Sequence, residues 1–145
     1  MVKHQRRSRQ VLGFPDGVLF DMWVYQQSTG ILTAPDGNVI GYGYSGNGAD
    51  LNNPKGEGDV GHGPIPTGFW VIGSFFDGSS IGKGHVVSRL SPCPGNDMDG
   101  RQGGFMIHGD NSQANHTASD GCIILARPIR VEISQSGDTL LQVIA

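Results

Sequence analysis

The chain has 145 residues, 37% of them hydrophobic, which is enough for one core and too few for two. A formal net charge of −3 and a pI near 5.9 leave no global basic field, and this excludes nucleic acid as a partner. The 24 glycines and 8 prolines fall between apolar runs and read as turns of a folded domain, while the two cysteines, Cys93 and Cys122, imply no disulfide framework.

Residues 1–17 open with Lys3, Arg6, Arg7 and Arg9 and read as a mobile, solvated basic tail. The following Val11-Leu12-Gly13-Phe14-Pro15 is too short and broken for the apolar region of a signal peptide. No run approaches the roughly 20 apolar residues of a membrane helix, so neither an export signal nor membrane insertion is expected. From Val18 to Ile40, alternation around Trp23, Val24 and Tyr25, with turns at Ser28-Thr29-Gly30 and Pro35-Asp36-Gly37-Asn38, predicts antiparallel hairpins. The glycine-dense stretch from Gly41 to Gly63 reads as a long surface loop of the kind that forms lids.

Gly63-Pro64-Ile65-Pro66-Thr67-Gly68 then stiffens the chain ahead of Phe69-Trp70-Val71-Ile72, an aromatic and β-branched run suited to a buried strand. His62 and His85 have polar surroundings and read as solvated, and Cys93, within Ser91-Pro92-Cys93-Pro94-Gly95, as incidental. Ile129-Arg130-Val131-Glu132-Ile133 and Leu140 to Ile144 alternate around a turn at Gly137 and predict a final strand pair; no helical period stands out. The fold class expected is all-β or β-dominated: one domain over residues 18–145, short strands and glycine-rich loops, with sandwich and barrel both open.

The chemistry concentrates in Phe105-Met106-Ile107-His108-Gly109-Asp110 and Ala118-Ser119-Asp120-Gly121-Cys122-Ile123-Ile124-Leu125. Fourteen positions separate His108 from Cys122, so neighbouring strands can carry both residues to one rim while the connecting loop bulges outward. A thiol is mostly protonated near neutrality and only the thiolate attacks readily, so a nucleophilic Cys122 calls for a base such as His108. In an extended segment Asp110 shares a face with His108, where its carboxylate fixes the imidazole tautomer. The amides of Gly121 and Cys122 are the candidate oxyanion donors, and Ser119 a brace of that turn and a candidate substrate contact. Two other readings stand beside this one. Cys122 can be a small core residue, and His108, Asp110, His116 and Cys122 can be zinc ligands, although no paired ligand spacing supports zinc.

His108-x-Asp110 followed by Ser119-x-Gly121-Cys122 resembles the signature of L,D-transpeptidase domains. With Gly63-Pro64-Ile65-Pro66-x-Gly68 and Gly100-Arg101 added, the sequence from Met22 to Arg130 resembles the L,D-transpeptidase effectors of type VI secretion. It departs from the wider pattern at Asp120, where many such enzymes carry a second histidine, and at Ile123 and Ile124, where a polar residue is usual. The resemblance implies the L,D-transpeptidase fold and cysteine acyl transfer on peptidoglycan stem tetrapeptides, giving carboxypeptidase or transpeptidase activity with no cofactor. It also implies action in the periplasm of a target bacterium and a cognate immunity protein as partner. In that chemistry Arg101 is the candidate reader of a terminal carboxylate, because guanidinium pairs with carboxylate bidentately. The alternatives are a housekeeping or phage-derived wall enzyme and a non-catalytic wall-binding β domain.

Overall fold

The computed structural model describes Arg9, Gln10 and residues 19–145. The tail expected over residues 1–17 lies outside these except for Arg9–Gln10 (β1), whose backbone pairs antiparallel with Leu19–Phe20 (β2). Trp23–Gln26 (β3), Ile31–Thr33 (β4) and Val39–Tyr42 (β5) form the antiparallel hairpins that the turn residues predict, with Trp23 and Tyr25 alternating into the core. Gly68–Ile72 (β6) is the expected buried strand, its Trp70 and Ile72 inward. The chain continues through Phe76–Gly78 (β7), Gly84–Pro92 (β8), Met106–His108 (β9), Ile123–Ile124 (β10), a helix over Arg127–Ser136 (α1) and Leu140–Ile144 (β11).

The fold is β-dominated, a curled sheet in the order β10-β9-β8-β6-β11-β3-β4-β5, with β7 paired to β8. Neighbours are antiparallel except β10 with β9 and β11 with β3. The two ends of this order approach each other, because Tyr44, just past β5, bridges Ile124 of β10. Gly43 permits the approach, since a Cβ there would collide with the Ile124 carbonyl. The concave side is filled by Trp23, Tyr25, Trp70, Ile107, Ile123, Leu125 and Leu141. Burying each such side chain contributes about 1.5–3 kcal/mol.

One predicted element is corrected. Residues 129–133 are not a strand but the middle of α1, with Pro128 in its first turn and Gly137, at φ 73°, ending it in the left-handed region. Arg130 and Ile133, three positions apart, face the sheet. The i, i+2 spacing of Ile129, Val131 and Ile133 mimicked a strand, but the partners of β11 are already β6 and β3. No helix among the described residues is long and apolar enough to cross a membrane.

Candidate active site

His108 is the last residue of β9, a strand whose three residues are all buried. Beyond it the chain stops being extended, and the ring turns back so that Nδ1–H donates to the Gly109 carbonyl at 2.7 Å. That bond leaves Nε2 as the basic nitrogen, and Nε2 is buried with no hydrogen-bond partner. Burial pushes the His108 pKa below its ordinary value; the Gly109 bond opposes this, and the charges of Lys83 and Arg130 add to it. The imidazole is therefore neutral near pH 7.

Cys122 lies one residue before β10, half-buried and free. Gly121 precedes it at φ 138°, where a Cβ would lie 2.6 Å from the Phe105 ring and 2.7 Å from the Arg101 guanidinium. The turn is held from within and without. Ser119 Oγ donates to the Cys122 carbonyl at 2.6 Å and accepts from the amides of Gly121 at 3.1 Å and Gly46 at 2.9 Å. Ser45 Oγ donates to the Gly121 carbonyl at 2.9 Å, and Asn47 Nδ2 to the Ser119 carbonyl at 2.8 Å. Burial raises the Cys122 pKa, while a hydrogen bond with the Met106 backbone and the charges of Lys83 and Arg101 work against it. The resting groups are thus a thiol and a neutral imidazole.

Register relates the two groups. Ile123 pairs with Ile107 and Ile124 with His108 in a parallel ladder. Both Ile107 and Ile123 enter the core, and Cys122, one residue before the paired segment, has its thiol at the Met106 backbone of β9, two residues before His108. His108 and Cys122 are thus carried by adjoining segments of the sheet. No hydrogen bond joins them, and each borders its own hollow. His108 lines one of about 320 Å³ with Lys83, Asp110 and Asn111, and Cys122 one of about 220 Å³ with Gly61, Gly104 and Asp120. In unliganded sites such catalytic contacts are often long and tighten around substrate.

Four expected roles meet different geometry. Asp110 makes no hydrogen bond to His108 and acts on it only as a nearby charge that raises its pKa weakly. Its Oδ1 accepts from the Tyr44 hydroxyl at 2.7 Å and the Asn111 amide at 2.9 Å, because the chain has left the strand by Gly109 and the i, i+2 rule no longer applies. The orienting acceptor is the Gly109 carbonyl. The Gly121 amide is occupied by Ser119 Oγ, which leaves the Cys122 amide of the expected pair, and Ser119 itself is fully buried, a brace without access to substrate. Arg101, 8% exposed, donates to the carbonyls of Glu57, Gly63, Pro64 and Asp120, tying the Gly-Pro-Ile-Pro segment to the turn before Cys122. Both terminal nitrogens are tied to backbone, with three bonds at Nη1 and one at Nη2, so Arg101 serves as a strut, and it also lines the hollow that Cys122 borders.

The stretch from Gly41 to Gly63 is likewise a wall, not a lid. Gly41 and Tyr42 belong to β5, and the rest packs Tyr44, Ser45 and Gly46 against the Cys122 turn. The alternating glycines of Gly41-Tyr42-Gly43-Tyr44 signalled this close backbone approach, but composition alone reads them as loop. Tyr44 also accepts from the Ala118 amide at 3.1 Å, so one phenol clamps both ends of the loop after His108; burial and Asp110 hold its pKa up at about 12. His116 stacks edge-on against Tyr44, and among the described residues no three His, Cys, Asp or Glu side chains converge on a metal site. Arg130 of α1 had no sequence signal at all. It donates to the carbonyls of Leu125, His85 and Val86 behind Gly109. His85 and His62 are exposed, as expected, paired with Asp77 at 3.2 Å and with Asn47 at 3.0 Å.

The Tlde1 domain family model matches residues 41–140. No curated protein matches the chain in sequence. Among solved structures, the helical cell shape determining protein Pgp2 from Campylobacter jejuni is 20% identical with a TM-score of 0.56, the match covering 85% of this chain and 46% of that one. The chain thus spans about half the length of that protein. L,D-transpeptidase 1 of Mycobacterium tuberculosis is 16% identical at a TM-score of 0.45, covering 86% of this chain and 61% of the other.

Proposed function

The chain belongs to the Tlde1 domain family, the family of type VI L,D-transpeptidase effectors, and on that premise we propose that it is a cysteine acyl-transfer enzyme acting on peptidoglycan stem tetrapeptides. One observation carries the reading. His108 keeps a buried, unpartnered Nε2, with Nδ1 fixed by a backbone carbonyl, on the strand whose Met106 backbone the Cys122 thiol meets. An unsatisfied buried acceptor is costly and calls for a reason, and a proton to collect supplies one.

In the mechanism, Nε2 takes the Sγ proton as sulfur attacks the carbonyl carbon joining the diamino acid to the terminal D-alanine. The Cys122 amide is the donor available to the developing oxyanion. The C–N bond then breaks, the imidazolium proton passes to the departing D-alanine amine, and a thioester remains on Cys122. Water, deprotonated by His108, releases the tripeptide and restores the thiol; an amine acceptor in its place gives exchange or cross-linking. No cofactor enters these steps.

The family points further to an antibacterial role, with delivery into the periplasm of a target cell and protection of the producer by a cognate immunity protein. Incubation with purified tetrapeptide muropeptides, with and without thiol alkylation and chelator, tests the chemistry. D-alanine release that alkylation abolishes and chelator spares is expected. Release that survives alkylation overturns the reading. Expression directed to the periplasm, with lysis dependent on Cys122, tests the effector role.

A further inference from the structure

We propose that Lys83 is the specificity-determining cation of this site, reading a carboxylate of the stem peptide on the His108 side of the sheet. The inference deepens the acyl-transfer reading and rests on it. Stem tetrapeptides carry carboxylates on the diamino acid and on the terminal D-alanine, so a site that selects them gains from a fixed positive charge with free donors. Three cations have a field that reaches His108 or Cys122, and two of them are fixed in the wall of the site, Arg101 on four backbone carbonyls and Arg130 on three.

Lys83 is the third, and among the described residues its ammonium makes no hydrogen bond or ion pair. It lines the hollow of about 320 Å³ that His108 also lines. Its backbone is not free to wander: Lys83 N–H donates to the Gly78 carbonyl at 2.9 Å, and Gly82 and Gly84 flank it at φ 74° and 77°. A lysine between two left-handed glycines is presented on a tight turn at the mouth of the hollow. Asp110 lines the same hollow, but its Oδ1 is engaged by Tyr44 and the Asn111 amide and not by Lys83. The charge is also well placed in time, because it weakens protonation of His108 and of the thiol together, favouring the basic imidazole and the thiolate. Lysine suits a carboxylate that arrives with the substrate, since its three donors reorient on a flexible stem.

The test compares kcat/KM for D-alanine release by the unmodified enzyme, Lys83→Met and Lys83→Arg on three substrates: the free acid, the stem amidated at the terminal carboxylate, and the stem amidated on the diamino acid. Lys83→Met is expected to lose about 10- to 100-fold on the free acid, the range for a lost charge-assisted contact, mainly through KM. It should lose almost nothing against one of the two amides, and that amide identifies the carboxylate. Lys83→Arg should recover most of the loss. An equal loss on all three substrates, or no loss on the free acid, overturns the proposal while leaving the acyl-transfer reading intact. If the unmodified enzyme releases no D-alanine from any stem, the acyl-transfer reading falls and this proposal with it.

Discussion

The two segments that present the candidate pair are built in opposite ways. The turn before Cys122 is over-determined: Ser119 Oγ makes three hydrogen bonds, and Ser45, Asn47 and Arg101 grip its carbonyls from other parts of the chain. His108 depends on one short bond to its neighbour's carbonyl, and the loop after it is exposed, with Ala114 and His116 at positive φ. The contrast is instructive. On the proposed mechanism a nucleophile must be held in place against the oxyanion donor beside it, whereas a base must keep one nitrogen uncommitted, and the heavy bracing of one segment and sparse bracing of the next fit those two demands.

Removing the reactive atoms should give the largest effects. Cys122→Ala is expected to abolish D-alanine release while moving the thermal midpoint little, because a half-buried thiol contributes little core volume. Full activity in that variant would end the comparison. His108→Ala should cost on the order of 100-fold or more as a lost base, again with little change in folding.

The braced side is tested by Ser119→Ala, which strands the Gly46 and Gly121 amides and the Cys122 carbonyl in the interior. A stability loss of about 1–3 kcal/mol is expected from urea unfolding, together with reduced turnover. A stable variant with normal turnover would mean that the turn holds without its brace.

The pH profile sharpens the relation between the two sides. The His108 pKa is depressed, so the fraction of basic imidazole grows as pH rises through a value below about 6.5, and the acid limb of kcat/KM should lie there. The Cys122 pKa is raised, so alkylation should climb only above the ordinary thiol range near 8.5 and show no plateau at pH 5–7. Such a plateau would reveal a preformed thiolate–imidazolium pair and contradict the neutral pair described above.

The smallest effect belongs to Asp110→Asn. Because Asp110 bonds Tyr44 and not His108, the variant should keep most of its activity and move the acid limb only slightly, downward, as a weak charge that raises the His108 pKa is lost; combined with His108→Ala it should add little. A large loss with a displaced acid limb would restore the carboxylate as orienter.

Local pattern determined much of this protein. Turn residues with period-two alternation carried the β3–β4–β5 hairpins and the buried β6, because those signals are written within a few neighbouring residues. The spacing from His108 to Cys122 was enough to pair the apolar run ending at His108 with the one that follows Cys122, since two short apolar runs flanking a polar loop leave few other arrangements. Tertiary structure decided the rest. Residues 127–136 became a helix because the sheet positions beside β11 were taken by β6 and β3, a competition that no local window contains. Arg101 and Arg130 became buried struts, and Asp110 a partner of Tyr44, because their acceptors and donor lie up to 66 positions away in sequence. A charged or polar side chain carries no periodic signature of its own; which carbonyl, phenol or substrate it meets is settled only when the curled sheet brings Tyr44 against Ile124 and closes the wall around Cys122.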